Sequence, residues 1–213
     1  MDNFSALWEK EDLLKKVSEH RFFKDFLSGN LTANSYFSYL KLEFDFVKTA
    51  AQSYGAAISR TTNLEHIREL SRALYGLTHE QFIFFQHVEE NEINQEFISK
   101  ENPSYDSELK IIFQGLTSHG SFTELLVAFY AAESLYSTWC AMPVTATSLS
   151  ESRQSWIDMH RTHEFLTHRA WLGKTIMNEL QNEHIDTRHL KELFRNVLSA
   201  ESDFHNIPYP LTE

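Results

Sequence analysis

The spacing of apolar residues is the feature that most constrains this fold, because they recur every three or four positions along almost the whole chain. That period matches the turn of an α-helix and predicts helices with one apolar face. No segment alternates apolar and polar residues as a half-buried strand does. The six glycines and four prolines among 213 residues are also too few for the many tight turns of a β protein. We therefore predict an all-α fold in a single domain that spans residues 1–213.

Capping residues, glycines and prolines divide this pattern into about eight helices. Gly76 either bends or breaks one helical stretch, and Thr78 with Gln81 resembles a capping box that starts the next helix. The helix that ends at Pro143 is apolar on nearly all sides, so we expect it at the centre of the domain. The predicted helical segments cover residues 1–27, 32–59, 62–74, 79–97, 106–119, 122–141, 151–161, 163–182 and 186–204.

Composition excludes several classes of partner. With 19 basic and 30 acidic residues, the formal net charge is −11, and no run of Lys or Arg forms a basic patch. Such a chain repels nucleic-acid phosphates and anionic membrane surfaces, so we expect neither as a partner. The apolar run at 125–132 is far shorter than the roughly 20 residues of a membrane-spanning helix. Because the single cysteine, Cys140, cannot form an internal disulfide and no signal-peptide pattern precedes the first helix, we expect a cytoplasmic protein.

Polar residues on apolar helix faces are the best candidates for function. Glu133 directly follows the apolar run, and Tyr136 lies about one turn later on the same face. A buried carboxylate is costly unless it is paired or used, so we favour a functional Glu133 over one paired structurally with Arg or His. Glu43 either projects inward or belongs to a solvated edge. Glu201, taken alone, has the position of a surface residue near the end of the last helix.

Two further sets of polar residues have helical spacing. Glu80 and His87 are seven positions apart, so they fall on one helix face two turns apart. His160, Glu164 and His168 repeat at steps of four, a spacing that can present two imidazoles and a carboxylate together. A solvated helix surface explains either set equally well.

Four segments resemble, in order and spacing, motifs of the TenA family, also called thiaminase II. Residues 26–31 (FLSGNL) look like the early F-x-x-G-x-L segment of the family, and residues 36–44 look like its F-x-x-Y-x-x-Q-D-Y helix. The strongest match is residues 128–136 (AFYAAESLY), which look like the pocket helix of the subclass in which a glutamate replaces the catalytic cysteine. Residues 201–205 (ESDFH) are similar to the terminal E-x-x-F-W motif, whose glutamate is catalytic.

The resemblance implies a haem-oxygenase-like helical bundle with a central pocket. It also implies a hydrolase of thiamine salvage that acts on C–N bonds of thiamine-related aminopyrimidines or of thiamine itself, without a cofactor. The family's cysteine falls on Ala132, so Cys140 is not its counterpart. Relatives commonly assemble, so we expect a homodimer or homotetramer with a small pyrimidine as substrate.

The resemblance also assigns roles to individual residues. Glu43 takes the place of the aspartate that binds the ring amine, while Glu133 and Glu201 share proton transfer with the assistance of Tyr136. Two carboxylates in one apolar pocket push one pKa upward, which leaves one group protonated as an acid and one ionised as a base. The other substrate-binding residues are expected to be Phe46, His87 and His160.

The alternative is a di-iron oxidase or oxygenase, since the same fold also houses that class. Five residues can be laid on its ligand pattern for two Fe ions: Glu80, His87, Glu133, His160 and Glu164. The sixth ligand does not fit, because Thr167 stands where a histidine is expected and His168 comes one residue late. That offset rotates the side chain by about 100°. Because Glu201 has no task in the metal pattern, we favour the hydrolase; a binding module without activity is a third reading.

Overall fold

The computed structural model describes residues 13–92, 106–181 and 185–209. Within these ranges all regular structure is helical and no strand is present, as the apolar spacing predicts. The helices are α1 Leu13–Ser18, α2 Arg21–Leu27, α3 Ala33–Ser59, α4 Leu64–Tyr75, α5 Gln81–Asn91, α6 Glu108–His119, α7 Phe122–Cys140, α8 Glu151–Met159, α9 His163–Glu179 and α10 Thr187–Phe204. The predicted helix over residues 1–12, the end of the fourth segment at 93–97 and a loop at 101–104 lie outside the described residues.

The count of about eight helices is confirmed for the described chain. A π-helical turn, Gly76–Glu80, joins α4 to α5 without a break. Only Glu19 and His20 separate α1 from α2, where the His20 side chain accepts a 3.1 Å hydrogen bond from the backbone N–H of Phe22 and caps α2. When each of these pairs is counted as one bent unit, eight helical units remain.

Helix α7 lies at the centre of the bundle, as its apolar sequence predicts. It packs against α1, α3, α6, α9 and α10, and most of its side chains are buried. A capping box fixes its start: the Ser121 hydroxyl accepts from the backbone N–H of Glu124, and a Glu124 carboxylate oxygen accepts from the backbone N–H of Ser121. None of the described helices is long and apolar enough to cross a membrane. This central position brings polar residues of α7 next to those of α3 and α10.

The predicted capping box at Thr78 and Gln81 is wrong. The Thr78 hydroxyl donates to the backbone carbonyl of Leu74 at 2.8 Å instead of capping a new helix. The backbone stays helical through Gly76, and the wider π turn absorbs one extra residue. Such turns are frequent at functional sites, and here Leu77 and Gln81 both face cavities described below.

An aromatic cluster anchors the C-terminal end of α10. Phe22 and Phe23 of α2 are fully buried, and Phe23 stacks on Trp139 of α7 with ring centroids 4.8 Å apart. His205, which caps α10, contacts Phe23 with ring centroids 4.7 Å apart. The cluster therefore holds the last turn of α10, which carries Glu201, against α7. Cys140 is fully buried at the end of α7, and this burial raises the pKa of its thiol well above its usual range.

Candidate active site

An inner cavity of about 80 Å³ lies among α3, α6, α7, α8 and α10. Its walls are largely aromatic, with Phe46, Phe113, Phe129 and Trp156 among them. Ala132, at the position of the family's cysteine, also lines it. The structure places six of the seven residues predicted for a hydrolase around this cavity: Glu43, Phe46, Glu133, Tyr136, His160 and Glu201.

Glu43 projects inward from α3, which decides between the two placements that its sequence position allows. It is 5% exposed, and the Tyr136 hydroxyl donates a hydrogen bond to its Oε1 atom. The hydroxyls of Tyr136 and Tyr39 are 3.1 Å apart, so the two tyrosines and the carboxyl form a buried chain. Burial raises the pKa of Glu43 to about 7, against the opposing effect of hydrogen bonds from Tyr136 and Tyr39. Tyr136 thus acts on Glu43 rather than directly on Glu133 or Glu201.

Glu201 is the most isolated carboxyl in the site. It is 1% exposed, and neither carboxyl oxygen has a hydrogen-bond partner among the described residues. His205 Nδ1 donates to the backbone carbonyl of Glu201 at 2.7 Å and lies 3.7 Å from Oε2. Burial raises the pKa of Glu201 well above its usual range, and the nearby charges of Glu43 and Glu133 raise it further. Glu201 is therefore protonated at neutral pH.

Glu133 stands where the inner cavity meets a larger one. Its Oε1 atom accepts a 3.4 Å hydrogen bond from the Tyr54 hydroxyl, while Oε2 is buried without a partner in the described part of the chain. Burial raises the pKa of Glu133 to about 8, opposed by the Tyr54 hydrogen bond and by the charge of Arg169. A carboxyl with this pKa can exchange protons close to neutral pH.

The larger cavity, here called the outer pocket, has a volume of about 680 Å³. It extends from the inner cavity between α4, the π turn and α9. Five residues line both cavities: Tyr54, Leu77, Gln81, Glu133 and Phe165. A ligand can therefore occupy both cavities, with its middle part beside Glu133.

His87 is the predicted substrate-binding residue that the structure does not bring to either cavity. It lies on the exposed face of α5, where the Asn91 side-chain amide donates to the His87 backbone carbonyl at 2.8 Å. Phe84 and Phe85 of the same helix are buried in the core instead. The two-turn spacing of Glu80 and His87 was therefore that of a partly solvated helix.

The proposed di-iron ligands do not fit a metal centre. Glu80 and Glu164 line the outer pocket, His160 lines the inner cavity, and His87 points away from both. No group of three or more His, Cys, Asp or Glu residues within the described ranges is arranged to hold a metal ion. The His160 ring is held instead by its Nδ1 atom, which lies 2.7 Å from the Trp156 carbonyl, and by stacking on Tyr136. Burial lowers the pKa of His160 to about 4, so the ring is neutral.

Sequence reasoning missed two tyrosines of the site, Tyr39 and Tyr54. Both lie on the apolar stripe of α3, where a tyrosine is usually part of the core. The available signal was their spacing: Tyr54 lies eleven positions after Glu43, which is three helical turns, so both face the same side. A tyrosine in register with a buried carboxylate can reach the same cavity.

Comparison with known proteins agrees with this arrangement. Residues 8–209 match the model of the TENA/THI-4/PQQC family, whereas no curated protein matches the sequence. A TenA homologue from Pyrococcus furiosus has a TM-score of 0.80 at 21% identity, covering 97% of this chain and 100% of that one. A TenA homologue from P. horikoshii has a TM-score of 0.78 at 16% identity, covering 97% and 96%.

A third solved structure is a TenA-like protein of Sulfolobus solfataricus that is provisionally assigned as a thiaminase. It has a TM-score of 0.69 at 17% identity, covering 92% of this chain and 91% of that one. At such identities these structures show the fold alone, which is the haem-oxygenase-like bundle that the motifs imply. The match of the family model along nearly the whole sequence shows that the chain belongs to the TENA/THI-4/PQQC family.

Proposed function

We propose that this protein hydrolyses the exocyclic C–N bond of an aminopyrimidine related to thiamine, and that pocket carboxylates replace a cysteine nucleophile. One observation carries the proposal: three carboxyls surround one aromatic-lined cavity, and three of their oxygens are buried without partners among the described residues. A buried polar atom without a partner lowers stability by about 1–3 kcal/mol, so its retention favours a role with a ligand. Family membership supports thiamine-related chemistry, as does the thiaminase assignment of the Sulfolobus relative.

The two cavities suggest how such a substrate is held. The inner cavity is smaller than the roughly 300–1,000 Å³ of ordinary ligand pockets, whereas the outer pocket lies within that range. The pyrimidine ring fits the aromatic inner cavity, where the ionised Glu43 carboxylate accepts hydrogen bonds from the ring amine. Tyr136 holds that carboxylate in place. The exocyclic carbon then lies beside Glu133, and the leaving group extends into the outer pocket.

The raised pKa values divide the chemical work between the other two carboxyls. Glu133 takes a proton from water, whose oxygen forms a bond to the exocyclic carbon while the C–N bond breaks. Glu201, protonated at neutral pH, gives its proton to the departing amine. The products are a hydroxymethylpyrimidine and an amine, and the protons balance when Glu133 passes one to solvent and Glu201 regains one. An acid and a base whose pKa values lie near or above neutral suit this division.

The first experiment measures turnover of aminomethylpyrimidine, its N-formyl derivative and thiamine by mass spectrometry, in EDTA. We expect hydroxymethylpyrimidine from wild-type protein. Glu201→Gln should lower the rate with aminomethylpyrimidine by at least about a hundredfold, because the departing amine loses its proton donor. The loss should be smaller with thiamine, because its thiazolium leaves as a neutral ring and needs no proton.

Glu164→Gln is the matched control, because Glu164 lines the outer pocket but is exposed. It should keep wild-type turnover. Absence of product from all three substrates would refute the proposed reaction. An equal loss with all substrates in Glu201→Gln would refute the acid role of Glu201 and leave the reaction standing.

A further inference from the structure

The site contains a buried tyrosine that joins its central carboxyl to a histidine of the outer pocket. The Tyr54 hydroxyl lies 2.9 Å from Nε2 of His168 and 3.4 Å from Oε1 of Glu133. We propose that Tyr54 and His168 form a proton relay between Glu133 and water in the outer pocket. This inference rests on the proposed function, because it assigns the route by which Glu133 is returned to its ionised state.

The geometry of Tyr54 suits a fixed relay group. Its side chain is 3% exposed, and its ring stacks on Phe129 with centroids 3.9 Å apart and planes 2° apart. The ring therefore cannot turn its hydroxyl toward other partners without losing this contact. His168 stacks on Trp171 and is partly exposed where it lines the outer pocket. The pair thus has one end at a buried carboxyl and the other near water.

Glu133 needs such a route because its surroundings leave it little access to solvent. Its Oε2 is buried, and Leu77 and Phe165 stand between the two cavities. When a substrate fills the inner cavity and its leaving group fills the outer pocket, water is displaced from both sides of the carboxyl. A hydrogen-bonded path through side chains remains usable in that state.

The charged groups around the relay come from three helices. Glu69 of α4 raises the pKa of His168, although burial outweighs it and lowers that pKa to about 4. Arg169 of α9 acts on Glu133, and Glu133 in turn acts on Glu201 of α10. His168 is therefore neutral at pH 7 and can relay a proton by exchanging tautomers, without holding a net charge.

The proton balance has three transfers. Protonated Glu133 gives its proton to the Tyr54 oxygen, Tyr54 gives its own proton to Nε2 of His168, and Nδ1 of His168 releases a proton to water. Glu133 ends ionised, Tyr54 ends neutral with a hydroxyl directed at Glu133, and His168 ends neutral with its proton on Nε2. Exchange with solvent returns the proton to Nδ1 before the next cycle.

Kinetic variants test this assignment once wild-type turnover is established. Tyr54→Phe keeps the stack on Phe129 and removes only the hydroxyl, and His168→Ala removes the imidazole. Each should lower kcat about a hundredfold with little change in KM, and the double variant should be no slower than either single one. His163→Phe is the matched control, since His163 is exposed on the same helix and lines the same pocket. It should keep wild-type kcat.

Imidazole in the buffer separates a relay from a structural role of His168. It should restore most of the turnover of His168→Ala through the outer pocket but none of the turnover of Tyr54→Phe. Rescue of neither variant, with both melting temperatures unchanged, would overturn the relay. Losses that multiply in the double variant would also overturn it, because they would show independent roles.

A second readout does not depend on turnover. In ¹⁵N NMR spectra of wild-type protein, the His168 ring should change from the Nδ1–H to the Nε2–H tautomer as Glu133 ionises near pH 8. Tyr54→Phe should abolish this change. If wild-type protein shows the tautomer change but hydrolyses none of the three substrates, the proposed reaction fails while the coupling stands. A His168 tautomer that is independent of pH in wild type would overturn the relay, whatever the activity.

Discussion

Replacing Glu133 by glutamine should make this protein more stable at alkaline pH. Burial raises the pKa of Glu133 from 4.5 to about 8, so the unfolded chain loses this proton first as the pH rises. A carboxyl with a raised pKa stabilises nothing when ionised: the free energy of unfolding falls from about pH 4.5 and levels off above pH 8. Glutamine has the same shape and never ionises, so the variant avoids this loss.

The size of the effect follows from the same pKa difference. Each pKa unit corresponds to about 1.4 kcal/mol, so the ionised carboxylate costs the folded state about 5 kcal/mol at pH 9. At pH 5 the cost is about 1 kcal/mol, because the carboxyl is almost fully protonated in the folded state. The variant should therefore gain about 4 kcal/mol over wild type between these two pH values. The relief of Glu201, which feels the charge of Glu133, acts in the same direction.

Urea unfolding of both proteins, followed by circular dichroism at pH 5, 7 and 9, measures this difference. Glu80→Gln is the control, because Glu80 is exposed at the edge of the outer pocket. Its stability relative to wild type should not vary with pH. If the stability of Glu133→Gln relative to wild type is equally independent of pH, then Glu133 is not held in a dry site and the reasoning for its role as a base fails.

Two further substitutions test separate features of the structure. Tyr136→Phe removes a hydrogen bond that lowers the pKa of Glu43, so the Glu43 carboxyl should titrate at higher pH in ¹³C NMR spectra; an unchanged midpoint would contradict the contact. Ser121→Ala removes the side-chain cap of α7 and should lower the free energy of unfolding by about 1 kcal/mol in urea without changing turnover, whereas a change below about 0.3 kcal/mol would show that the cap contributes little.

The fold was largely predictable because apolar periodicity reports directly on helices and on their buried faces. The π turn was not, since the Thr78–Gln81 pattern is the same whether a helix starts there or continues. Continuity was decided by the carbonyl of Leu74, which accepts the Thr78 hydroxyl that a cap would have used.

The site was predictable to the extent that its residues interrupt an apolar stripe. Glu133 interrupts the most apolar helix, so its importance could be inferred from α7 alone. Glu201 follows Val197 by four positions and precedes Phe204 by three, both of which are buried, so its helix face already indicated burial. The contact between Tyr54 and His168 joins residues 114 positions apart, and no local pattern predicts which helices approach so closely.

The π turn at Gly76–Glu80 has a consequence for how this part of the chain can vary. None of its five residues is buried, so most substitutions there remove little packing. Loss of one residue would instead convert the turn to regular α-helix and rotate everything that follows by about 100°. Gln81 would then leave the boundary between the cavities, and the buried phenylalanines of α5 would face solvent. This stretch is therefore expected to tolerate changes of residue type and to keep its exact length.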